Sequence, residues 1–256
     1  MKTISVINQK GGVAKTTTVQ ALASGLKNRG YRVLMVDLDG QESLTISTGA
    51  HTGANILDVL QGHRAIKSVI QATPGGDIVA STEDLGKADL TIRGKRAEYR
   101  LKEALTEVQG LYDFCIIDCP PSLGILSVSA LTASNSCIIP VQADFFSLKA
   151  LDQLNGTITV IRENTNRDLA IEGILVTRYS SRTVLSREAL EALKEKARSM
   201  GTKVFNTTIR ECISIKEAQA VKESIHTYAP RSNASNDYTA LIDELLEGNH
   251  DAQKDI

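Results

Sequence analysis

Residues 4–18 read ISVINQKGGVAKTTT, and this stretch decides the fold of the chain. Its apolar start, residues 4–7, predicts a short buried strand. From Val19 onward, apolar residues recur at the spacing of one helix face. Between the strand and the helix stand two lysines and two adjacent glycines, followed by three threonines. A strand that passes through such a turn into a helix predicts a phosphate-binding loop.

The residue types of this loop suit nucleotide phosphates. Gly11 and Gly12 allow the backbone to curl closely, so that successive N–H groups point at an anion. The helix that follows directs the positive end of its dipole at the same phosphates. Lys15 can reach the β- and γ-phosphates of ATP, and the Thr16 hydroxyl can coordinate Mg²⁺. The loop therefore predicts that the chain binds ATP together with Mg²⁺.

The remainder of the chain alternates short apolar runs with amphipathic stretches. Further strands are predicted at residues 33–36, 114–117, 137–141 and 171–176. A helix whose first turn is capped by Ser147 is predicted to follow the third of these. This alternation implies an α/β fold, with a mainly parallel, doubly wound sheet and helices on both faces. One domain is predicted for residues 1–247, and the polar residues 248–256 are predicted to form a frayed tail.

Two of the predicted strands end in acidic residues. The segment VLMVDLDGQ, residues 33–41, places Asp37 and Asp39 at a strand end, and FCIIDCPPS, residues 114–122, does the same for Asp118. Ligands of open α/β sheets bind beyond the carboxyl ends of the strands, so these acids are expected beside the phosphates. An apolar strand that ends in aspartate is the Walker B arrangement. Asp118 is therefore predicted to support Mg²⁺ from behind its water ligands.

The loop KGGVAKTTT, residues 10–18, resembles the deviant Walker A motif KGGxxK[ST] of the ParA/MinD ATPases. It departs from the ordinary GxxxxGK[ST] pattern, because Gln9 and Ala14 occupy the positions of that pattern's two glycines. The acidic strand end at residues 33–41 resembles the family motif DxDPQ, although Gly40 replaces the proline. Segments similar to ParA/Soj partition proteins continue at residues 177–183, 204–209 and 228–232. The resemblance implies a P-loop NTPase fold and an ATPase that acts as a molecular switch.

The resemblance also implies roles for individual residues. Lys10 is expected to reach across a homodimer bridged by ATP, to the phosphates that the partner subunit holds, as an arginine finger does. Asp39 is expected to orient or activate the attacking water, and Asp37 to support Mg²⁺ through water. The implied candidates are Lys10, Lys15 and Asp39 for catalysis, Thr16, Asp37 and Asp118 for the metal, and Lys10, Gly11, Gly12, Val13, Ala14, Lys15, Thr16, Thr17, Arg178 and Arg210 for the nucleotide.

DNA contacts are less sharply marked in the sequence. The net charge is −1, so DNA binding requires a local cluster of basic residues. The basic residues of the carboxyl-terminal half are interleaved with glutamates, which leaves a solvated, salt-bridged face as an open alternative to a phosphate-binding track. The resemblance favours sequence-nonspecific DNA binding, with Arg182, Arg187 and Lys216 as candidates. Residues 209–220 depart from the family segment IPRNVRLSEAPS, so the adenine pocket is expected to be rearranged.

The function implied by the resemblance is the partition of a plasmid, a chromosome or a mobile element. Slow ATP hydrolysis would be stimulated by a ParB-type centromere-binding protein, in the cytoplasm and on the nucleoid. One alternative is a MinD-like ATPase that cycles on a membrane, but residues 241–247 are acidic where an anionic lipid surface requires basic residues. Iron–sulfur reductases and amide ligases on the same scaffold are further alternatives. The four cysteines, without a CxxC pair, are expected to be buried hydrophobic residues.

Overall fold

Eight strands form a single sheet within residues 1–180 and 184–252, the ranges that the computed structural model describes. They are β1 (Lys2–Val6), β2 (Val33–Asp37), β3 (Ile70–Thr73), β4 (Gly76–Val79), β5 (Phe114–Asp118), β6 (Ser136–Gln142), β7 (Ala170–Tyr179) and β8 (Ile209–Arg210). Their order across the sheet is β3-β4-β2-β5-β1-β6-β7-β8. Only the β3–β4 pair at one edge is antiparallel. The predicted α/β fold with a mainly parallel sheet is therefore confirmed.

The helices cover both faces of this sheet. They are α1 (Lys15–Asn28), α2 (Ser43–Thr48), α3 (Ile56–Leu60), α4 (Ala88–Thr91), α5 (Arg100–Thr106), α6 (Ile125–Ala133), α7 (Phe145–Asn164), α8 (Val184–Ser199), α9 (Ile213–Ala220), α10 (Ile225–Tyr228) and α11 (Asn233–Ala252). Short 3-10 turns lie at Ile66–Ser68, Glu83–Lys87 and Ala97–Tyr99. Among the helices of the described ranges, none combines the length and apolar character that crossing a bilayer requires.

The side chains of each strand point alternately to the two faces of the sheet, and this divides the core into two parts. In β2, Leu34 and Val36 belong to the core cluster that includes residues of α5, α6 and α7, whereas Val33 and Met35 belong to the cluster that includes residues of α1 and α11. Successive side chains of a strand point to opposite faces, and both faces of this sheet are covered. This arrangement explains why the strands read as continuous apolar runs, and it is the doubly wound architecture that the sequence predicts.

Two details near the helix ends differ from the sequence prediction. The cap of α7 is Asp144, whose side chain accepts a hydrogen bond from the backbone N–H of Ser147 at 3.0 Å. The prediction that Ser147 caps this helix was wrong, because the chain enters the helix earlier and an aspartate is as good a cap as a serine. At the other end of the chain, α11 continues to Ala252, into the stretch predicted to be a tail.

Gly25 allows α1 to pack closely against α10 and α11. A Cβ added at this position would overlap Cδ1 of Ile242 and lie 2.9 Å from Nε2 of His226. Gly25→Ala is therefore expected to lower the free energy of unfolding by about 1–3 kcal/mol, as overpacked core substitutions do. Urea denaturation of the nucleotide-free protein measures this change.

A glycine in another helix provides the matched control. Gly156 lies on the exposed side of α7, where an added Cβ meets nothing within 4 Å. Gly156→Ala is expected to raise the free energy of unfolding by roughly 0.5–1 kcal/mol, because alanine has the higher helix propensity. Equal stability of the two variants would contradict the packing described for Gly25.

Candidate active site

A cleft of about 720 Å³ opens at the carboxyl ends of the central strands. The segments that line it include the glycine-rich loop between β1 and α1, the loop after β2, the loop after β5 and the segment that runs from β8 into α9. Their contributions to the lining include Lys15, Thr16, Asp39 and Pro121. The strand order places β2, β5 and β1 side by side, which brings together three segments that are far apart in the sequence.

The glycine-rich loop owes its shape to two residues with left-handed backbone conformations. Gly12 has φ of +72° and Ala14 has φ of +69°. An added Cβ at Gly12 would meet nothing within 4 Å, so the glycine is required by its backbone angle and not by lack of space. Ala14 adopts the same conformation with a side chain, at a cost of about 1–2 kcal/mol. The loop is thus held in a strained shape before any phosphate arrives.

Side chains from β6 and β7 hold this loop in place, a role that the sequence did not assign to them. Gln142 Nε2 donates to the carbonyl of Gly12 at 3.2 Å, and the Thr177 hydroxyl donates to the carbonyl of Val13 at 3.2 Å. Asn8 accepts a hydrogen bond from the Lys10 N–H at 2.9 Å. With these loop carbonyls held from behind, the N–H groups of the loop remain available on the cleft side.

Lys15 is the cation at the centre of the cleft. Its side chain is nearly buried, with 7% of the residue exposed, and its Nζ donates to the carbonyl of Lys10 at 3.2 Å. Burial lowers the pKa of Lys15, and the charges of Asp118 and Asp39 offset this only in part. A half-desolvated ammonium group with one neutral acceptor gains strongly from an anion placed next to it. This is the environment expected of a phosphate-binding lysine.

Asp118 and Asp37 form a buried acidic pair. They are register partners at the ends of β5 and β2, and both are fully buried. Within the described residues, no hydrogen bond of good geometry reaches either carboxylate oxygen of Asp118, although the nearby Thr16 hydroxyl and the charge of Lys15 partly favour its ionised form. Burial and the neighbouring charge of Asp37 raise the pKa of Asp118 well above its ordinary value. A buried carboxylate without such hydrogen bonds is costly, which indicates that the site is built for a cation.

The second acid of the pair is firmly oriented. Asp37 accepts hydrogen bonds from the hydroxyl and the N–H of Thr45 at 2.7 and 2.9 Å, and from the N–H of Asp39 at 3.1 Å. Burial nevertheless raises the pKa of Asp37 to about 6. Together with the nearby Thr16 hydroxyl, the pair forms an oxygen-only donor set next to the phosphate loop. Such a set fits Mg²⁺ bound partly through water.

Asp39 stands at the mouth of the cleft. It is half-buried, and one of its carboxylate oxygens accepts a hydrogen bond from the N–H of Gln41 at 3.0 Å. The carboxylate therefore faces the cleft with a fixed orientation and with capacity for a further hydrogen bond. This position is suited to the water that attacks a bound phosphate.

Lys10 differs from the other loop residues because it does not line the cleft of its own chain. Its Nζ lies 2.5 Å from Oδ2 of Asp144, the residue that caps α7, and each side chain is about one third exposed. Asp144 was not marked by any motif, and the pair joins residues that are 134 positions apart. Lys10 therefore forms an ion pair with Asp144 at the edge of the site.

A family model described as an AAA domain matches residues 1–171. The sporulation initiation inhibitor protein Soj of Bacillus subtilis is 38% identical, over 95% of this chain and 98% of its own length. The chromosome-partitioning ATPase Soj of Treponema pallidum is 36% identical, over 96% of this chain and 97% of its own length. This chain belongs to the Soj/ParA family of ATPases.

Solved structures place the Soj/ParA chain among nucleotide-binding proteins of the same fold. Cobyrinic acid a,c-diamide synthase from Mycobacterium smegmatis, with bound ADP and magnesium, matches with a TM-score of 0.83 and 34% identity, over 96% of this chain and 94% of that one. A putative plasmid partition protein from Borrelia burgdorferi, bound to AMPPNP, matches with a TM-score of 0.79 and 26% identity, over 96% and 97% of the two chains. The predicted P-loop fold is confirmed.

The remaining predicted residues of this Soj/ParA chain divide between the cleft and the surface. Arg178, Arg210 and Lys216 line the cleft, together with Thr17 and Gly11. Arg187 is exposed on α8 and does not line the cleft, and Arg182 lies outside the described residues. Lys216, a candidate for DNA, therefore stands in the wall of the nucleotide cleft.

The guanidinium of Arg210 is already engaged. Its Nη2 donates to Oδ1 of Asp237 at 2.6 Å, and its backbone N–H donates to Oδ2 of the same residue at 3.0 Å. This double contact ties the end of β8 to α11 and fixes one wall of the cleft. The assignment of Arg178 and Arg210 to the nucleotide, like that of the other site residues, stays a prediction.

Three of the four cysteines of this Soj/ParA chain are fully buried, at positions 115, 119 and 137, and Cys212 is partly exposed in the cleft wall. Burial raises the pKa of the Cys137 thiol to about 12, so this thiol is protonated at neutral pH. The expected role of these three as small apolar residues agrees with their burial.

Proposed function

We propose that this chain is a partition ATPase that binds Mg²⁺ and ATP in the cleft and closes into an ATP-bridged dimer that binds DNA. The observation that carries the proposal is the convergence of Lys15, Thr16 and Asp39 in one cleft, with the buried acidic pair at the ends of the adjacent strands and Lys10 held outside. The names of the relatives, which include chromosome-partitioning ATPases, support the same assignment.

ATP binding would rest on the glycine-rich loop and on α1. The N–H groups of residues 11–17 and the amino-terminal dipole of α1 would surround the phosphates. Lys15 would exchange its single contact with a carbonyl for contacts with phosphate oxygens. When bound, Mg²⁺ would neutralise charge on the β- and γ-phosphates. Thr16 would hold the metal directly, and Asp37 and Asp118 would hold its water ligands.

Hydrolysis would depend on Asp39 and Lys15. Asp39 faces the open side of the cleft, where its carboxylate would accept a hydrogen bond from the attacking water and orient it. Lys15 would stabilise the charge that moves onto the leaving β-phosphate. The other lysine of the glycine-rich loop, Lys10, is paired with Asp144 and does not line the cleft, which agrees with slow turnover in a monomer.

Dimer formation would supply a second cation. In the proposed dimer, two chains close face to face, and each Lys10 leaves Asp144 for the phosphates that the other chain holds. The exchange replaces a partly solvated pair with a desolvated contact to several phosphate oxygens, so ATP becomes part of the interface. ATP thereby couples the oligomeric state to the nucleotide state.

DNA binding would follow from the doubled surface. With a net charge of −1, one chain has little general attraction for DNA, but a dimer presents two copies of each exposed basic residue. Arg187 is the exposed candidate among the described residues. Since hydrolysis dissolves the dimer, a ParB-type protein that stimulates hydrolysis would release the chain from the nucleoid and so drive partition of a replicon.

Lys10→Ala is expected to leave ATP binding by the monomer within about twofold of wild type and to weaken ATP-dependent dimerisation at least tenfold. The expected loss corresponds to one charge-assisted contact per nucleotide. Multi-angle light scattering with ATP, ADP and no nucleotide measures dimerisation, and DNA titrations at two salt concentrations follow in parallel. Lys102→Ala, at an exposed position of α5, is the control. Normal dimerisation of Lys10→Ala would contradict the proposal.

Asp144→Asn tests the same step from the opposite side. Asparagine caps a helix as well as aspartate does, so α7 is preserved while the ion pair with Lys10 is lost. The variant is expected to dimerise with ATP at a protein concentration about threefold lower than wild type requires. A dimer weaker than that of wild type would show that Asp144 orients Lys10 for its contact and does not retain it.

A further inference from the structure

Ser81 lies directly after β4, beside the loop that carries Asp39. It is fully buried, and its hydroxyl donates to the backbone carbonyl of Asp39 at 2.6 Å. This contact crosses from one strand end to the next and fixes the main chain of the acid itself. A buried hydroxyl with a short hydrogen bond to a backbone carbonyl holds that segment in one place.

The backbone of Ser81 reaches the second acid of the same loop. Its N–H donates to the Thr45 hydroxyl at 2.9 Å, and that hydroxyl donates to Oδ2 of Asp37 at 2.7 Å. One residue is thus connected both to Asp39 and, through Thr45, to Asp37. Since Ser81→Ala removes only the side chain, the contact with Asp39 can be broken while the connection to Asp37 is kept.

The segment that follows Ser81 packs against the same loop from outside. A Cβ added at Gly40 would lie 2.9 Å from the backbone nitrogen of Gly86 and 3.4 Å from the carbonyl of Glu83. Proline also carries a Cβ, so this packing explains why Gly40 stands where the family motif has proline. The loop after Asp39 is therefore confined between the Ser81 hydroxyl and the backbone of residues 83–86.

The same segment is anchored at its far end to the loop after β5. Asp89 Oδ1 accepts a hydrogen bond from the Ile125 N–H, at the beginning of α6, at 2.8 Å. A Cβ at Gly124 would lie 2.6 Å from both oxygens of that carboxylate, so a larger residue there would displace the Asp89 side chain. Residues 81–89 thus bridge the loop of Asp39 and the loop that follows Asp118.

We propose that Ser81 is a positioning residue for ATP hydrolysis, which holds the main chain of Asp39 so that its carboxylate faces the attacking water. The inference rests on the proposed function of the cleft as an ATPase site. Ser81 itself does not line the cleft, so it acts through Asp39. Displacement of a reacting group by about 1 Å can cost on the order of a hundredfold in rate, although ground-state binding is unchanged.

Ser81→Ala is expected to lower kcat for ATP hydrolysis by about tenfold or more, while KM for ATP and the affinity for a fluorescent ATP analogue stay within about twofold. The phosphate loop and Lys15 are untouched, so binding persists. Ser81→Thr, which keeps the hydroxyl, is expected to recover most of kcat. Ser136→Ala is the matched control, because Ser136 is equally buried and its hydroxyl has no partner among the described residues.

A double-mutant cycle with Asp39→Ala, measured under single-turnover conditions, separates positioning from a general loss of structure. If Ser81 acts through Asp39, its removal costs nothing further in the Asp39→Ala background. Gly40→Ala disturbs the same loop from outside and is expected to show the same selective loss of kcat. It stands in for Ser81→Ala if thermal unfolding shows that variant to be unfolded.

Three outcomes would overturn the inference: an unchanged kcat in Ser81→Ala, a loss of ATP affinity without a loss of kcat, or losses that multiply in the Asp39→Ala background. Failure of the proposed function gives a different pattern. In that case the wild-type chain does not hydrolyse ATP, or Asp39→Ala hydrolyses it at the wild-type rate.

Discussion

Lys15→Ala is expected to lower the affinity of the chain for ATP by at least about a hundredfold, because removing one partner of a buried, hydrogen-bonded charge pair leaves the other charge unpaired. The side chain is nearly buried, and its Nζ has a single carbonyl contact. Phosphate oxygens are its natural partners there, since burial has already removed most of its hydration. Without the Lys15 ammonium group, the N–H groups of the loop would have to offset most of the negative charge of the ATP phosphates.

Isothermal titration calorimetry with Mg²⁺ and a non-hydrolysable ATP analogue measures this loss. Lys27→Ala is the matched control, because Lys27 is an exposed lysine on the same helix, α1. Both variants are expected to unfold in urea near the wild-type midpoint. ATP affinity of Lys15→Ala within about threefold of wild type would show that the cleft binds nucleotide in another way.

Asp118→Asn is expected to have opposite effects on function and on stability. The carboxylate is buried beside Asp37 without a hydrogen bond of good geometry in the described structure, so neutralising it should raise the free energy of unfolding of the nucleotide-free protein by about 1–3 kcal/mol. The same change should lower the affinity for Mg²⁺ with ATP about ten- to a hundredfold, as loss of a group behind a metal's ligands does. Asp168→Asn, at an exposed position, should do neither.

The increase in the free energy of unfolding expected for Asp118→Asn should become smaller as the pH falls. Burial raises the pKa of Asp37 to about 6 and that of Asp118 well above its ordinary value. An acid whose pKa is higher in the folded than in the unfolded state opposes folding only while it is charged. The gain from Asp118→Asn should therefore be largest at high pH, shrink as the pH falls below the raised pKa of Asp118 in the folded state, and vanish below the ordinary pKa of an aspartate. Urea denaturation at a series of pH values measures it, and a gain that grew on acidification would contradict this account.

The sequence by itself determined the fold class and the phosphate loop. Lys15, Thr16 and the two glycines act through backbone geometry and a helix dipole within residues 10–18, so their spacing alone is informative. The acids at the ends of β2 and β5 were equally predictable, because parallel strands bring their carboxyl ends to one edge of the sheet. In each case the expected role of the residue follows from its position relative to the neighbouring strand or helix in the sequence.

Other features of the site were decided only by the tertiary structure. Asp144 meets Lys10 across 134 positions, and Ser81 meets Asp39 across 42. The cap of α7 and the contact of Gly40 with residues 83–86 also depend on where separate segments pack. The sequence around a serine or an aspartate does not reveal such a contact, because the packing of distant segments determines which residue becomes its hydrogen-bond partner. The sequence identifies the groups that are expected to bind phosphate, and the tertiary structure determines which residues hold those groups in place.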